Sequence, residues 1–244
     1  MHDLPAATSR RADAGAILFA LCYPTGLTYV YFTALAQAPT GVQHVVFGSL
    51  KFIQFAFPLV WYVKVRRQKL KFHRPRGRGM VLGVGFGALV TGSMWLLYAC
   101  WLLPAGWLQE AIEPIRQKIA GFGVNRLPAY LALALFYSLV HSLLEEYYWR
   151  WFVFAQLRRL VSLPSAVVIS SLGFMAHHVL LLGTFFGWGS PLTWLFSLAV
   201  AVGGAIWALL YHRLDSLYPV WLSHLLVDAA IFGIGYDLVG NTFG

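Results

Sequence analysis

The sequence predicts an all-α fold: a polytopic transmembrane helical bundle of about seven spans, six to eight being the range, with one amphipathic interfacial helix. Three observations carry that expectation. The 244 residues are 59% hydrophobic and only 11% charged, whereas a soluble domain carries about 25% charged residues. The apolar residues fall in runs that reach the roughly 20 residues a helix needs to cross a hydrocarbon core. The basic residues are concentrated, with eight of the 18 Lys and Arg in KVRRQKLKFHRPRGR at 64–78. A net charge of +9 distributed in this way reads as a cytoplasmic loop obeying the positive-inside rule, with anionic lipid headgroups as a secondary contact. No nucleic-acid recognition motif accompanies the charge, so nucleic acid is not an expected partner.

The runs place spans at about 14–36, 42–63, 80–103, 128–154, 164–183, 191–211 and 217–238. Pro128, Pro164 and Pro191 each open a run, a first-turn position where the missing N–H of proline costs nothing. The first run follows Arg10 and Arg11 and ends near ALAQA, but at about 22 residues it is too long for a signal-peptide core and reads as a retained helix. Arg10, Arg11, the 64–78 loop, Arg158, Arg159 and Arg213 fall on one side; Arg116, Lys118 and Arg126 fall on the other. That asymmetry puts the N-terminus in the cytoplasm. Between the third and fourth runs, Trp107, Leu108, Ile112 and Ile115 alternate with Glu110, Glu113, Arg116 and Lys118, the pattern of an interfacial helix. The chain thus divides into 1–127, with spans, a basic loop (64–79) and an interfacial segment (104–127), and 128–244, a core that carries the unusual polar residues. Cys22 and Cys100 have neither metal-ligand nor disulfide spacing and read as small packing residues.

Those polar residues are the informative ones. A charged side chain at mid-bilayer costs about 2.5–3.5 kcal/mol on insertion scales, so it is rare and usually paired or functional. The fourth span carries His141, Glu145, Glu146 and Arg150; the fifth carries Phe174, His177 and His178; the seventh carries His224 and Asp228. On an α-helix residues four apart share a face, so Glu146 and Arg150 can form an internal ion pair. Glu145 points about 100° away and is expected as an unpaired carboxylate suited to acid–base work. His178 shares a face with Phe174, and His224 with Asp228. At 1.5 Å per residue, Glu145, His178, His224 and Asp228 all fall in one broad layer of a ~30 Å core. Taken singly, each has a plainer reading: glutamates snorkelling with Arg150, a satisfied buried histidine, a structural His224–Asp228 hydrogen bond. His141, one turn before Glu145, either orients it or packs. His177 and Lys51 receive no role.

Together, EEYYWR (Glu145, Glu146, Arg150), FMAHH (Phe174, His178) and HLLVD (His224, Asp228), in that order and each on its own span, resemble the CPBP family of type II CAAX prenyl endopeptidases and bacteriocin-processing or immunity proteins. The resemblance covers about residues 128–238; residues 1–127 resemble nothing beyond generic membrane helices. It implies an intramembrane endopeptidase acting on a membrane-anchored or prenylated protein in the lipid bilayer. Glu145 and His178 would activate a water, His224 and Asp228 would sit near the developing oxyanion, and Glu146, Arg150 and Phe174 would support the site. The chain departs from the eukaryotic pattern at Asp228, where Asn is common. Asn donates to an oxyanion and ionised Asp cannot, so Asp228 is either protonated or orients His224. With no His-Glu-x-x-His on one helix, a glutamic mechanism without a cofactor is favoured; zinc on Glu145, His178 and His224 is the alternative. The compact length suggests a bacterial inner-membrane protein. Two other readings stand beside the protease: an inert scaffold or immunity protein on the same fold, and a proton-coupled transporter. For the transporter, Gly83, Gly85, Gly87, Gly203 and Gly204 supply helix weakness, but no internal repeat accompanies them.

Overall fold

The computed structural model describes residues 10–69, 73 and 77–240. Among them there are eight helices and no strands. Seven are long and apolar enough to span a membrane: α1 (Arg10–Ala34), α2 (Thr40–Val65), α3 (Gly77–Leu102), α5 (Leu127–Leu157), α6 (Leu163–Phe186), α7 (Pro191–Leu214) and α8 (Leu217–Val239). The eighth, α4 (Gln109–Gly121), is the short amphipathic helix. The seven expected spans are all present, each one to four residues longer than its apolar run. The basic stretch at 64–78 lies partly outside the described residues, which omit 70–72 and 74–76.

Burial runs opposite to that of a soluble protein. Val45, Phe52, Val81 and Leu89 are 66–75% exposed, while Gln54, Glu145, Glu146, Arg150, Ser197 and His224 are 4% exposed or less. Apolar outside and polar inside is the arrangement that a hydrocarbon solvent imposes. It is the architecture of an integral multi-pass membrane protein. Cys22 and Cys100 are free thiols at exposed positions of their spans.

Two features depart from plain α-helix. The last five residues of α1, α2 and α3 are π-helical, with five-residue hydrogen bonds such as Leu35 N–H to Val30 O at 2.9 Å. Within α5, π-turns at Phe136–His141 and Tyr147–Phe154 flank the α-helical Ser142–Glu146. A π-turn holds one residue more than an α-turn and is frequent at functional sites.

The contacts fall into two compact units, each drawn from both halves of the chain. The first comprises 1–73, 147–182 and 191–209; the second comprises 74–146, 183–190 and 210–244. The division passes through α5 between Glu146 and Tyr147. In the first unit Tyr148, Trp149, Phe152, Val153 and Phe154 are buried. The Tyr148 hydroxyl donates to Ala20 O at 2.8 Å, and the Tyr23 hydroxyl donates to Leu50 O at 3.1 Å. Asp13 and Arg66 lie 3.9 Å apart, and Arg66 also donates to the Gln156 side chain.

In the second unit α3 and α8 approach backbone to backbone. Gly79, Gly83 and Gly87 recur every fourth residue and so line one face. A Cβ at Gly83 would overlap the Pro219 carbonyl, and one at Gly87 would stand 2.9 Å from Ser223 Cα. One turn on, the Thr91 hydroxyl donates to Leu226 O at 2.9 Å. Small residues that admit a close approach and hydroxyls that bond across it are the usual means of joining helices where lipid offers no hydrophobic drive. The α4 helix lays Ile112, Ile115 and Ile119 against Tyr130, Phe232, Leu238 and Val239, so its apolar stripe is covered by protein.

Gly83 and Gly85 make a matched test of this seat. Gly83→Ala should lower the thermal unfolding midpoint in detergent, by the equivalent of at least about 2 kcal/mol, because the added methyl meets backbone. Gly85→Ala, where a Cβ meets nothing within 4 Å, should be neutral or mildly stabilising, since alanine is the better helix former by about 1 kcal/mol. Equal behaviour of the two variants would refute the close approach.

Candidate active site

The second unit gathers five titratable side chains: His141, Glu145 and Glu146 from α5, and His224 and Asp228 from α8. The seat on α3 sets the α8 register, and two further ties lock α5 to α8. The Trp221 indole N–H donates to Leu139 O at 2.9 Å, and the Tyr130 hydroxyl donates to Phe232 O at 2.7 Å. Leu139 lies in the Phe136–His141 π-turn, so the irregular stretch of α5 finds a donor in α8. Trp221 precedes His224 by three residues and therefore shares its face.

His224 is the hub. Its Nδ1 lies 2.7 Å from Glu146 Oε1. Because a carboxylate only accepts, Nδ1 carries the proton and donates it. The other nitrogen, Nε2, then faces Asp228 Oδ1 at 3.5 Å and Glu145 Oε2 at 3.8 Å. The second oxygen of Glu145 lies 4.0 Å from His141 Nε2. Glu145 is 4% exposed, Glu146 0% and His224 4%. At such burial a carboxylate survives only with partners, and the imidazole serves both glutamates.

This geometry corrects the expected isolation of Glu145, which stands between two imidazoles, one from its own helix and one from α8. The reason is that α8 comes close enough for a single ring to address two adjacent residues through its two nitrogens, an option that helical spacing on α5 alone does not reveal. The expected His224–Asp228 face is present, with the two side chains 3.5 Å apart.

The first unit contains Arg150, Phe174, His177 and His178. The Arg150 guanidinium lies over the Phe174 ring at 4.8 Å and the Trp207 ring at 5.2 Å, with Nη2 donating to Gly204 O at 3.4 Å. A Cβ at Gly204 would stand 3.3 Å from Phe174 and 3.6 Å from Arg150 Nη2, so glycine at this position leaves the Phe174 ring uncrowded. His178 Nδ1 lies 2.8 Å from Phe174 O. A carbonyl accepts, so Nδ1 is the nitrogen that donates. His177, 7% exposed, lies parallel to the Trp149 ring at 5.7 Å, a packing position. Lys51 sits over the rings of Phe47 and Phe55 at 5.7 and 5.4 Å, which supplies a cation–π environment for a charge in mid-span.

Sequence reasoning missed Trp221 and the glycines of α3 as contributors. The four-residue period of Gly79, Gly83 and Gly87 was a readable signal for the latter; nothing in the sequence marks the Leu139 carbonyl as the target of Trp221. Among the described residues no three His, Cys, Asp or Glu side chains are grouped to hold a metal ion.

The fold and this cluster define a polytopic membrane protein with carboxylates and imidazoles buried in its spans. Residues 127–230 match the family described as Type II CAAX prenyl endopeptidase Rce1-like. That segment begins with α5 and contains every motif residue named above, so this part of the chain is similar to the type II CAAX prenyl endopeptidases. No curated protein and no solved structure matches the chain.

The hub is open to a double-mutant cycle. Glu146→Gln and His224→Gln, singly and together, should show a coupling of about 1–3 kcal/mol in unfolding free energy. Additive effects would mean that the 2.7 Å bond contributes nothing to the folded state.

Proposed function

We propose that this protein is an intramembrane endopeptidase of the CAAX prenyl protease type, which hydrolyses a peptide bond near the terminus of a membrane-anchored protein. The observation that carries the reading is the buried His224 ring, held through Nδ1 by Glu146 and facing Glu145 and Asp228 through Nε2. The family match supports it.

In this reading Glu145 is the general base. It takes a proton from water as the hydroxide oxygen bonds the scissile carbonyl carbon, and the carbonyl π electrons move to oxygen. His224, donating through Nε2–H in its imidazolium form, stabilises that oxyanion. Glu146 fixes the ring and favours the positive charge it then carries, the part a buried carboxylate plays behind a catalytic histidine. The proton on Glu145 passes to the amide nitrogen as the C–N bond breaks, which yields a carboxylic acid and an amine. Asp228, next to Nε2, orients the ring between these steps. His178 is assigned to the same water by its motif. Exclusion of bulk water strengthens each of these interactions.

The substrate is a prenylated or otherwise membrane-anchored protein terminus. The charge asymmetry of the loops supports a cytoplasmic N-terminus, and a bacterial inner membrane is the proposed location. A topology reporter fused to the N-terminus should be active in the cytoplasm; activity on the opposite side would reverse the orientation.

The reaction is tested on purified protein in detergent with a quenched, prenylated CAAX-like peptide. Wild type should cleave, while Glu145→Gln and His178→Ala should each lose at least about 100-fold in kcat, and a strong chelator should leave wild type unchanged. Loss of cleavage with chelator would replace the glutamic mechanism with a metal-dependent one. Full activity of Glu145→Gln would remove the proposed base. If wild type leaves both this peptide and a panel of membrane-anchored termini uncut, the scaffold reading takes its place.

A further inference from the structure

The end of the first unit where α1 begins is built around a buried arginine. Arg66, 6% exposed, lies 3.9 Å from Asp13 Oδ1 and donates to Gln156 Oε1. Arg159 Nη1 donates to the same Gln156 oxygen at 3.4 Å. These contacts draw together the first turn of α1, the end of α2 and the end of α5. The first turn of α6 follows closely, with Ser162 Oγ accepting the Ser165 N–H at 3.4 Å. All four are boundaries of spans, so this surface lies at the depth of lipid headgroups.

The charge there is one-sided. Arg10 and Arg11 are exposed at the start of α1, and Lys64 and Arg67 at the end of α2; beyond α5, Arg159 is exposed and Arg158 half-buried. Asp13 is the only carboxylate among the described residues of the first unit, and it is buried beside Arg66. The positive end of the α6 dipole adds charge of the same sign. Arg67 is also conformationally unusual. It follows Arg66, the C-cap of α2, and its φ is +49°. That left-handed position past a helix end is ordinarily filled by glycine, which adopts it without a Cβ penalty. Here it carries a long cation, exposed while its neighbour Arg66 is buried.

We propose that this end of the first unit is a binding surface for anionic phospholipid headgroups. Arg67 and Arg159, which flank the Arg66–Gln156 contact, are its central phosphate contacts, and Arg10, Arg11 and Lys64 surround them. The inference goes beyond the peptidase reading and does not depend on it. Sequence alone offers the 64–78 stretch as a run of charge; the structure adds cations from α1 and α5 and a buried contact that holds them at one level. A headgroup phosphate supplies the negative charge that the protein lacks here, and the guanidinium fork matches phosphate geometry. Each basic residue near an anionic membrane surface contributes about five-fold in affinity.

The test titrates the full-length protein in detergent with phosphatidylglycerol and, separately, with phosphatidylcholine of the same acyl chains. Bound lipid is counted by native mass spectrometry at one fixed ionic strength, since salt screens exposed charges. Wild type should bind the anionic lipid at least about ten-fold more tightly. Arg67→Gly combined with Arg159→Gln should cut that preference at least about five-fold, whereas Arg116→Gln combined with Arg126→Gln, which removes two charges elsewhere, should leave it within about two-fold. Added inorganic phosphate should not displace the lipid. Arg67→Gly alone should keep or raise the thermal unfolding midpoint of the lipid-free protein, because glycine relieves the left-handed position; a fall would assign Arg67 to the fold and remove it from the surface. A wild-type preference below about two-fold overturns the proposal and leaves an acidic protein segment as the occupant. Equal losses in the two double variants also overturn it, since they would report net charge alone, as does displacement by inorganic phosphate, the sign of a free-phosphate site.

Discussion

Two adjacent carboxylates buried in an apolar span need partners that their own helix cannot fully supply. That constraint organises the second unit. A glutamate in the hydrocarbon layer costs several kcal/mol unless it is bonded, and here one imidazole meets both. His224 takes Glu146 on Nδ1 and faces Glu145 on Nε2, which is possible only because α8 runs close beside α5. Closeness in turn requires the glycine face of α3 beneath Pro219 and Ser223, and the bonds from Trp221 and Tyr130 that stop α8 from sliding. The polar cluster and the small-residue packing are two ends of one arrangement.

Much of the fold was legible because the membrane simplifies the code. Seven apolar runs become seven helices in the same order, and Pro128, Pro164 and Pro191 sit in their first turns. The polar residues of α5 and α8 were legible for a related reason: a glutamate in a span such as α5 is too costly to be incidental. What could not be read was the partner of each. Spacing on α5 correctly separates the faces of Glu145 and Glu146, but it says nothing of a ring arriving from 78 residues away. Spacing also assumes one helical pitch. The π-turns on either side of Ser142–Glu146 break that assumption, and no residue in FYSLVH or YYWRWFVF announces them.

The first unit shows the same economy applied to a cation. Arg150 is 2% exposed, and its guanidinium lies against two aromatic faces and a backbone carbonyl. The planar ion is weakly hydrated and stacks well, so a lysine at this position would not reproduce the arrangement. Phe174 takes part twice: its ring lies under Arg150 and its carbonyl fixes the tautomer of His178. That double use gives a physical reason for a phenylalanine and a histidine four residues apart on α6.

The π-turn at Phe136–His141 has a consequence for how this helix compares with others of its kind. It accommodates one residue more than an α-helix of the same length would, with no loop to mark the addition. An alignment that treats α5 as uniform would be in phase at Glu145 and about 100° out of phase at Tyr130, although both residues pack against α8. Relatives without the extra residue would need a one-residue gap inside a transmembrane helix, where gaps are ordinarily forbidden. The part of α5 that reads as structural and the part that carries chemistry are therefore separate rotational registers. Substitutions that accumulate in one need not track those in the other.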